Sequence, residues 1–168
     1  MRKAVRMTSR KQMNISQIQQ LTKTMLDTAS KVPTFENIPK DRQQFNVVAE
    51  VPPLTNAFFE NDPPILEGEK KMMMCLRTVV HDATGSVEVK IWDAACYDLF
   101  DVTASRLREL WEEGHDNEDK RKTILDKFNT LTAKKLELSC EAELFSYGQS
   151  ERKVVVQINV NTLELVTE

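Results

Sequence analysis

Two stretches of strict two-residue alternation decide what this chain can fold into. Between Ser86 and Trp92, Val87, Val89 and Ile91 alternate with Glu88 and Lys90; between Lys135 and Phe145, Leu136, Leu138, Cys140, Ala142 and Leu144 alternate with Glu137, Ser139, Glu141 and Glu143. A strand sends successive side chains to opposite faces, so each stretch reads as a β-strand with one face on a core and the other in water. A helix would scatter the same apolar residues around its circumference. The fold must therefore be built on half-buried strands.

Each of these strands has a neighbour to pair with. KMMMCLRTVV (71–80) meets SVEVKIW (86–92) across His81-Asp82-Ala83-Thr84-Gly85, a hairpin with a glycine-bearing turn. KLELSCEAELF (135–145) meets RKVVVQINVNTLELV (152–166), which alternates through its first half, across Tyr147-Gly148-Gln149-Ser150. FNVVAEV (45–51) is a first strand stopped by Pro52-Pro53, and 56–71, with Pro63, Pro64 and Gly68, is a loop with room for one short extended piece.

Between the hairpins the period becomes helical. Asp93 is placed to cap a helix through Phe100, Thr103 a second with Leu107, Leu110 and Trp111 on one side, and Ile124, Leu125, Phe128 and Leu131 mark a third. Gly114 and the charged run to Lys122 form an exposed link. Strand, hairpin, helical insert, hairpin is the order of a five-stranded OB-fold barrel with helices between strands 3 and 4, a mainly β fold with an α insert whose second and third strands supply the usual ligand face.

With 168 residues and 40% hydrophobic content the chain can bury one ordinary core, giving an OB-fold domain over 45–168 preceded by a basic arm, 1–44, partly helical or disordered. Within the arm, Ser16 and Gln19 have capping-box spacing, and Ile18, Leu21, Met25 and Ala29 share one helical face up to Pro33, so this segment could dock on a partner or on the barrel. The arm carries nine Lys/Arg against three acids and the remainder fourteen against twenty-three, so an acidic barrel has no general field for phosphates and must bind them, if at all, through a local patch. No run of about 18 apolar residues is present, which predicts a soluble intracellular protein with no membrane partner. The acid-free basic start also resembles a mitochondrial presequence.

Cys75, Cys96 and Cys140 are odd in number, widely spaced and set among apolar neighbours, so they predict neither disulfides nor a metal site. His81 in a turn and His115 in a charged loop are expected to face solvent, far from any nucleophile, and four glycines leave little scope for a phosphate-cradling loop. The chain reads as a binding module, without cofactor, rather than an enzyme.

Alternation also places the ligand face. With Val87, Val89 and Ile91 inward, Glu88, Lys90 and Trp92 point out; with Met74, Leu76 and Val80 inward, Met73, Cys75, Arg77 and Val79 lie beside them. Arg77 and Lys90 flanking Trp92 suit single-stranded nucleic acid, whose bases stack on aromatic rings while cations hold the phosphates. Tyr147, Arg152 and Lys153 at the last hairpin could extend the groove. Trp92 has a structural alternative, packing beneath the helices that follow it, as Tyr147 has in the turn. The outward Glu137, Glu141 and Glu143 oppose phosphate wherever they border the groove.

The string V-x-I-W-D-A-A-x-x-x-L-F (Val89 to Phe100), then TASRLREL (103–110), then the stretch from Phe128 with Tyr147, Arg152-Lys153 and a Val-rich last strand, resembles the C-terminal OB domain of the replication protein A large subunit. The resemblance implies single-stranded DNA binding in replication, repair or recombination, a nuclear location, other OB-fold subunits or a larger replication complex as partners, and a stacking role for Trp92. The sequence departs from that family in three respects. No cysteine stands between 61 and 71, so the family's zinc ribbon is missing and no metal is expected; Glu88 replaces a second aromatic; and the sequence stops before the family's trimerisation helix. These departures support an alternative, a protein-interaction OB module that has lost nucleic-acid binding.

Overall fold

The computed structural model describes residues 10–31, 42–147 and 153–166. Its strands are β1 (Lys11–Gln12), β2 (Gln43–Ala49), β3 (Ile65–Glu67), β4 (Met72–Asp82), β5 (Gly85–Trp92), β6 (Leu136–Tyr147) and β7 (Lys153–Leu165). Its helices are α1 (Ile15–Ser30), α2 (Ala57–Glu60), α3 (Asp93–Phe100), α4 (Ala104–Asp116) and α5 (Glu118–Phe128). The strands form one mixed sheet in the order β1-β2-β6-β7-β5-β4-β3. There are thus seven strands rather than five, because a two-residue β1 pairs parallel to β2 and a three-residue β3 pairs with β4. Both are too short to leave a periodic signal in the sequence.

The five long strands follow the expected chain order. β4 and β5 pair antiparallel from Cys75–Trp92 to Asp82–Gly85, β6 and β7 form the longest pairing, and β2 lies antiparallel to β6. β5 and β7 run parallel, in register at Lys90–Asn159 and Ile91–Val160. A parallel pair needs a long crossover, here the three helices followed by β6. Just beyond β2, Glu50 exchanges both backbone hydrogen bonds with His81 of β4, at 2.8 and 3.1 Å. That bridge joins β2 to β4 and curls the sheet back on itself.

The inward assignments from alternation are met by Met74, Leu76 and Val80 in β4, Val89 and Ile91 in β5, and Leu136, Leu138, Cys140 and Ala142 in β6, all buried. In β7 the inward set changes parity, from Ile158 and Val160 to Leu163. Ser139 pairs with Thr162 and Cys140 with Val160, so Asn161 is the extra residue of a bulge, which is why alternation fades halfway along this strand. Ala95, Cys96, Leu99 and Phe100 of α3, with Leu107, Ile124 and Phe128 of α4 and α5, add to the core from the insert.

Residues 10–31, read from sequence as part of an arm, join the same core. Ile15 and Ile18 of α1 are fully buried, and Leu21 and Met25 pack against the core, so the apolar face docks on the sheet. The cap falls two residues before the expected one. Asn14, not Ser16, accepts from the backbone of Gln17, whose side chain answers the Asn14 N–H. Two further first-turn donors are taken by the β4–β5 hairpin: Ile15 N donates to Asp82 Oδ2 (2.9 Å) and Ser16 N to Thr84 Oγ1 (3.0 Å). Pro33, the expected stop, lies outside the described residues. No helix among the described residues is long and apolar enough to cross a membrane.

Three local readings are corrected. His81 belongs to β4, since the strand runs on to Asp82 and only Ala83-Thr84 turn. Asp93 does not cap α3; its Oδ1 accepts from Met74 N of β4 at 3.0 Å, and Trp92 takes the cap position. Gly114 is not in an exposed link but buried inside α4, against the fully buried ring of Phe59. A Cβ at Gly114 would lie 2.1 Å from Phe59 Cε1.

Two predictions follow from this packing. Gly114→Ala gains about 1 kcal/mol of helix propensity but must displace a buried ring, an overpacking cost of about 1–3 kcal/mol. The net outcome is a lower urea midpoint than wild type. At Asp82, burial raises the pKa, but hydrogen bonds from the Thr84 side chain and from the Ile15, Thr84 and Gly85 backbone outweigh it and hold the carboxyl below its ordinary value. A depressed folded pKa stabilises above the unfolded value and loses that contribution as pH falls through the folded one. The stability gap between wild type and Asp82→Asn, measured by urea melts, should therefore be open at neutral pH and close on acidification.

Candidate nucleic-acid interface

The registers put one continuous outer face across β4, β5, β7 and β6. Arg77 lies opposite Lys90 and Cys75 opposite Trp92; Lys90 is beside Asn159; Asn159 faces Glu141, Gln157 faces Glu143, Val155 faces Phe145 and Lys153 faces Tyr147. Side chains of like parity along each strand share this face.

A chain of hydrogen bonds crosses it. Lys90 Nζ donates to Gln157 Oε1 (2.9 Å), Gln157 Nε2 to Asn159 Oδ1 (2.8 Å), and Asn159 Nδ2 to Glu143 Oε1 (2.9 Å). Arg42 then pairs with Glu143 (3.2 Å) and Glu141 (3.5 Å), and Gln44 Nε2 donates to Glu141 Oε1 (2.9 Å). Trp92 enters the network through its indole N–H, 2.8 Å from Asn159 Oδ1. The tryptophan is half-buried, with its one polar atom spent inside the protein.

Beside this network is a groove of about 590 Å³ lined by Arg77, Glu88, Lys90, Phe145, Tyr147 and Gln157, among others. Phe145 and Tyr147 are each 48% exposed, their rings 6.5 Å apart and inclined by 22°. Such near-parallel, wetted rings form a stacking surface. The cations differ in how far they are neutralised. Arg77 Nε lies 3.7 Å from Glu88 Oε1, with both side chains about two-thirds exposed, a geometry that contributes little. Lys90 donates to the uncharged amide of Gln157 rather than to a carboxylate.

Of the six residues singled out in the sequence, Arg77, Lys90 and Tyr147 line this groove. Lys153 is exposed across from Tyr147 at its end. Trp92 shares the face but is tied to Asn159, toward α3. Arg152 lies outside the described residues, as does the Gly148-Gln149-Ser150 turn. Sequence reasoning missed Phe145, Gln157, Asn159 and Arg42. Phe145 was within reach, because Leu144 inward obliges Phe145 outward. Amides alternating with apolar residues along β7 were the signal for Gln157 and Asn159. Arg42 precedes its strand and carried none.

Both histidines and all three cysteines have structural surroundings. His115, though exposed, stacks on Trp111 at 4.7 Å with Nδ1 2.9 Å from Phe59 O, and His81 Nε2 lies 3.2 Å from Glu50 Oε2. Burial pushes the Cys96 and Cys140 thiols up to about 12. It also raises Cys75, against the opposing pull of Lys90 and Arg77. These thiols are poorly nucleophilic at neutral pH. Among the described residues no three His, Cys, Asp or Glu cluster to hold a metal.

No family model and no curated protein matches the sequence. Solved structures do share the fold. A chain of a replication protein A heterotrimer bound to ssDNA is 14% identical with a TM-score of 0.62, covering 94% of this chain and 37% of its own length. A chain of yeast RPA bound to ssDNA is also 14% identical, with a TM-score of 0.52, covering 85% of this chain and 87% of its own. The resemblance read from the sequence is thus met in the fold, and the chain spans little more than a third of the first of these neighbours.

Proposed function

We propose that the five long strands form an OB-type barrel whose outer β4–β5–β7–β6 face binds single-stranded DNA, in replication, repair or recombination and in the nucleus. The observation that carries this reading is the groove that sets Arg77 and Lys90 beside the half-exposed rings of Phe145 and Tyr147. Phosphates attract to cations and bases stack on aromatics, so the ligand crosses the face from β4 toward β6, held at its phosphates by Arg77 and Lys90 and at its bases by Phe145 and Tyr147. Lys153, across from Tyr147, extends the positive side of the groove, and Arg152, its neighbour in the sequence, is proposed to add to it. Trp92 contributes its ring where the face approaches α3. Two neighbours of like fold bound to ssDNA support the reading, and other OB-fold subunits are the proposed protein partners.

A protein-interaction module is favoured instead by Val79 and Val155, exposed on the same face, and by Glu88 in the groove. Fluorescence anisotropy with labelled oligo-dT separates the two readings, at about 20 mM salt, where screening extends about 20 Å. Saturable binding is expected. Phe145→Ala and Tyr147→Ala should each weaken it by about 1–3 kcal/mol, and Lys90→Gln should lower the slope of log affinity against log salt by about 0.7. Absence of saturable binding by folded protein at that salt overturns the nucleic-acid reading.

A further inference from the structure

The groove opens onto an acidic strand. Glu141 and Glu143 lie on the same outer face as Lys90, two residues apart, with side chains only 16% and 22% exposed. Each accepts one hydrogen bond from a neutral amide, Gln44 for Glu141 and Asn159 for Glu143. Such bonds satisfy oxygens but cancel no charge. Among the described residues the cation paired with them is Arg42, which reaches both carboxylates from just before β2 while its own side chain stays 61% exposed. Two like charges at this spacing, largely shielded from water, project a field over several ångströms that opposes any phosphate crossing β7 toward β6.

We propose that Arg42 is a positioning residue for single-strand binding: its one positive charge offsets half of the negative charge of Glu141 and Glu143 and so eases the passage of a polyanion across the β7–β6 half of the face. This inference rests on the nucleic-acid reading above. Arg42 acts through the carboxylates rather than as a principal phosphate contact, because two of its donor groups are committed to them. Glu143 in turn anchors Asn159, and through it Gln157 and Trp92, so an unpaired carboxylate here also disturbs the amides bordering the groove.

The test is an anisotropy series with oligo-dT at about 20 mM salt, on wild type, Arg42→Ala, Arg42→Lys, Glu141→Gln/Glu143→Gln and the triple variant Arg42→Ala/Glu141→Gln/Glu143→Gln. Arg42→Ala should weaken binding roughly fivefold or more, with the loss shrinking as salt rises, and Arg42→Lys should restore most of it. The triple variant should recover wild-type affinity or exceed it, since the charge that Arg42 cancels is gone. Failure of the triple variant to recover would show a direct phosphate contact and overturn the positioning role. Unchanged affinity in Arg42→Ala overturns it too. Urea melts on each variant separate a folding defect from a binding one. If wild type itself does not bind, the nucleic-acid reading fails, and that outcome is distinct from a wild type that binds without regard to Arg42.

Discussion

The parallel pairing of β5 with β7 is the contact on which the rest of this structure depends. It holds only two residue pairs in register, Lys90–Asn159 and Ile91–Val160, yet it joins the first hairpin to the second. Inward, it sets Ile91 against Val160 in the core; outward, it sets Lys90 beside Asn159. Because the two strands are parallel, the chain must cross over the sheet between them, and α3, α4 and α5 fill that crossover while burying Leu99, Phe100, Leu107 and Phe128. The Glu50–His81 bridge closes the opposite side. Core and ligand face are therefore products of the same pairing.

The outer face is polar in an ordered way. Lys90, Gln157, Asn159, Glu143 and Arg42 form a line of hydrogen bonds and an ion pair with a cation at either end, and each side chain's orientation is fixed by the next. Such a line presents a prearranged surface rather than a set of independent long side chains, and a ligand that meets it loses less side-chain entropy. Charge alone does not make this face attractive to a polyanion, since Glu88, Glu141 and Glu143 are also on it. On the proposed reading, what favours binding is the partition: neutral or paired groups toward β6 and β2, a lysine bonded to a neutral amide at β5, and two wetted rings at the end of β6. On that reading the weight of binding moves from Trp92, whose donor is engaged internally, to Phe145 and Tyr147.

Alternation carried most of the fold. Wherever a strand had one dry and one wet face, parity alone placed its residues, as for Val89 and Ile91 against Lys90, or Leu138 and Cys140 against Glu141. What alternation cannot see are features set by tertiary contact. β1 and β3 are too short to have a period. The start of α1 is fixed by Asp82 and Thr84, nearly seventy residues away, which take its first donors and move the cap from Ser16 to Asn14. Gly114 reads as a break because glycine disfavours helices, but it lies within one because Phe59 leaves no room for a side chain. At the site, Arg77, Lys90 and Tyr147 were legible from parity and hairpin position, whereas Arg42 acquires its role only through β2–β6 pairing.

The most direct measurement of the central claim is a titration of isotope-labelled protein with unlabelled oligo-dT, followed by amide nuclear magnetic resonance shifts. A ligand seated as proposed moves the backbone signals of Arg77, Lys90, Phe145 and Tyr147 together with the side-chain amides of Gln157 and Asn159, while those of α4 and α5 stay still. Shifts confined to the helices or to β3, or none at ligand excess, would contradict the assignment of this face.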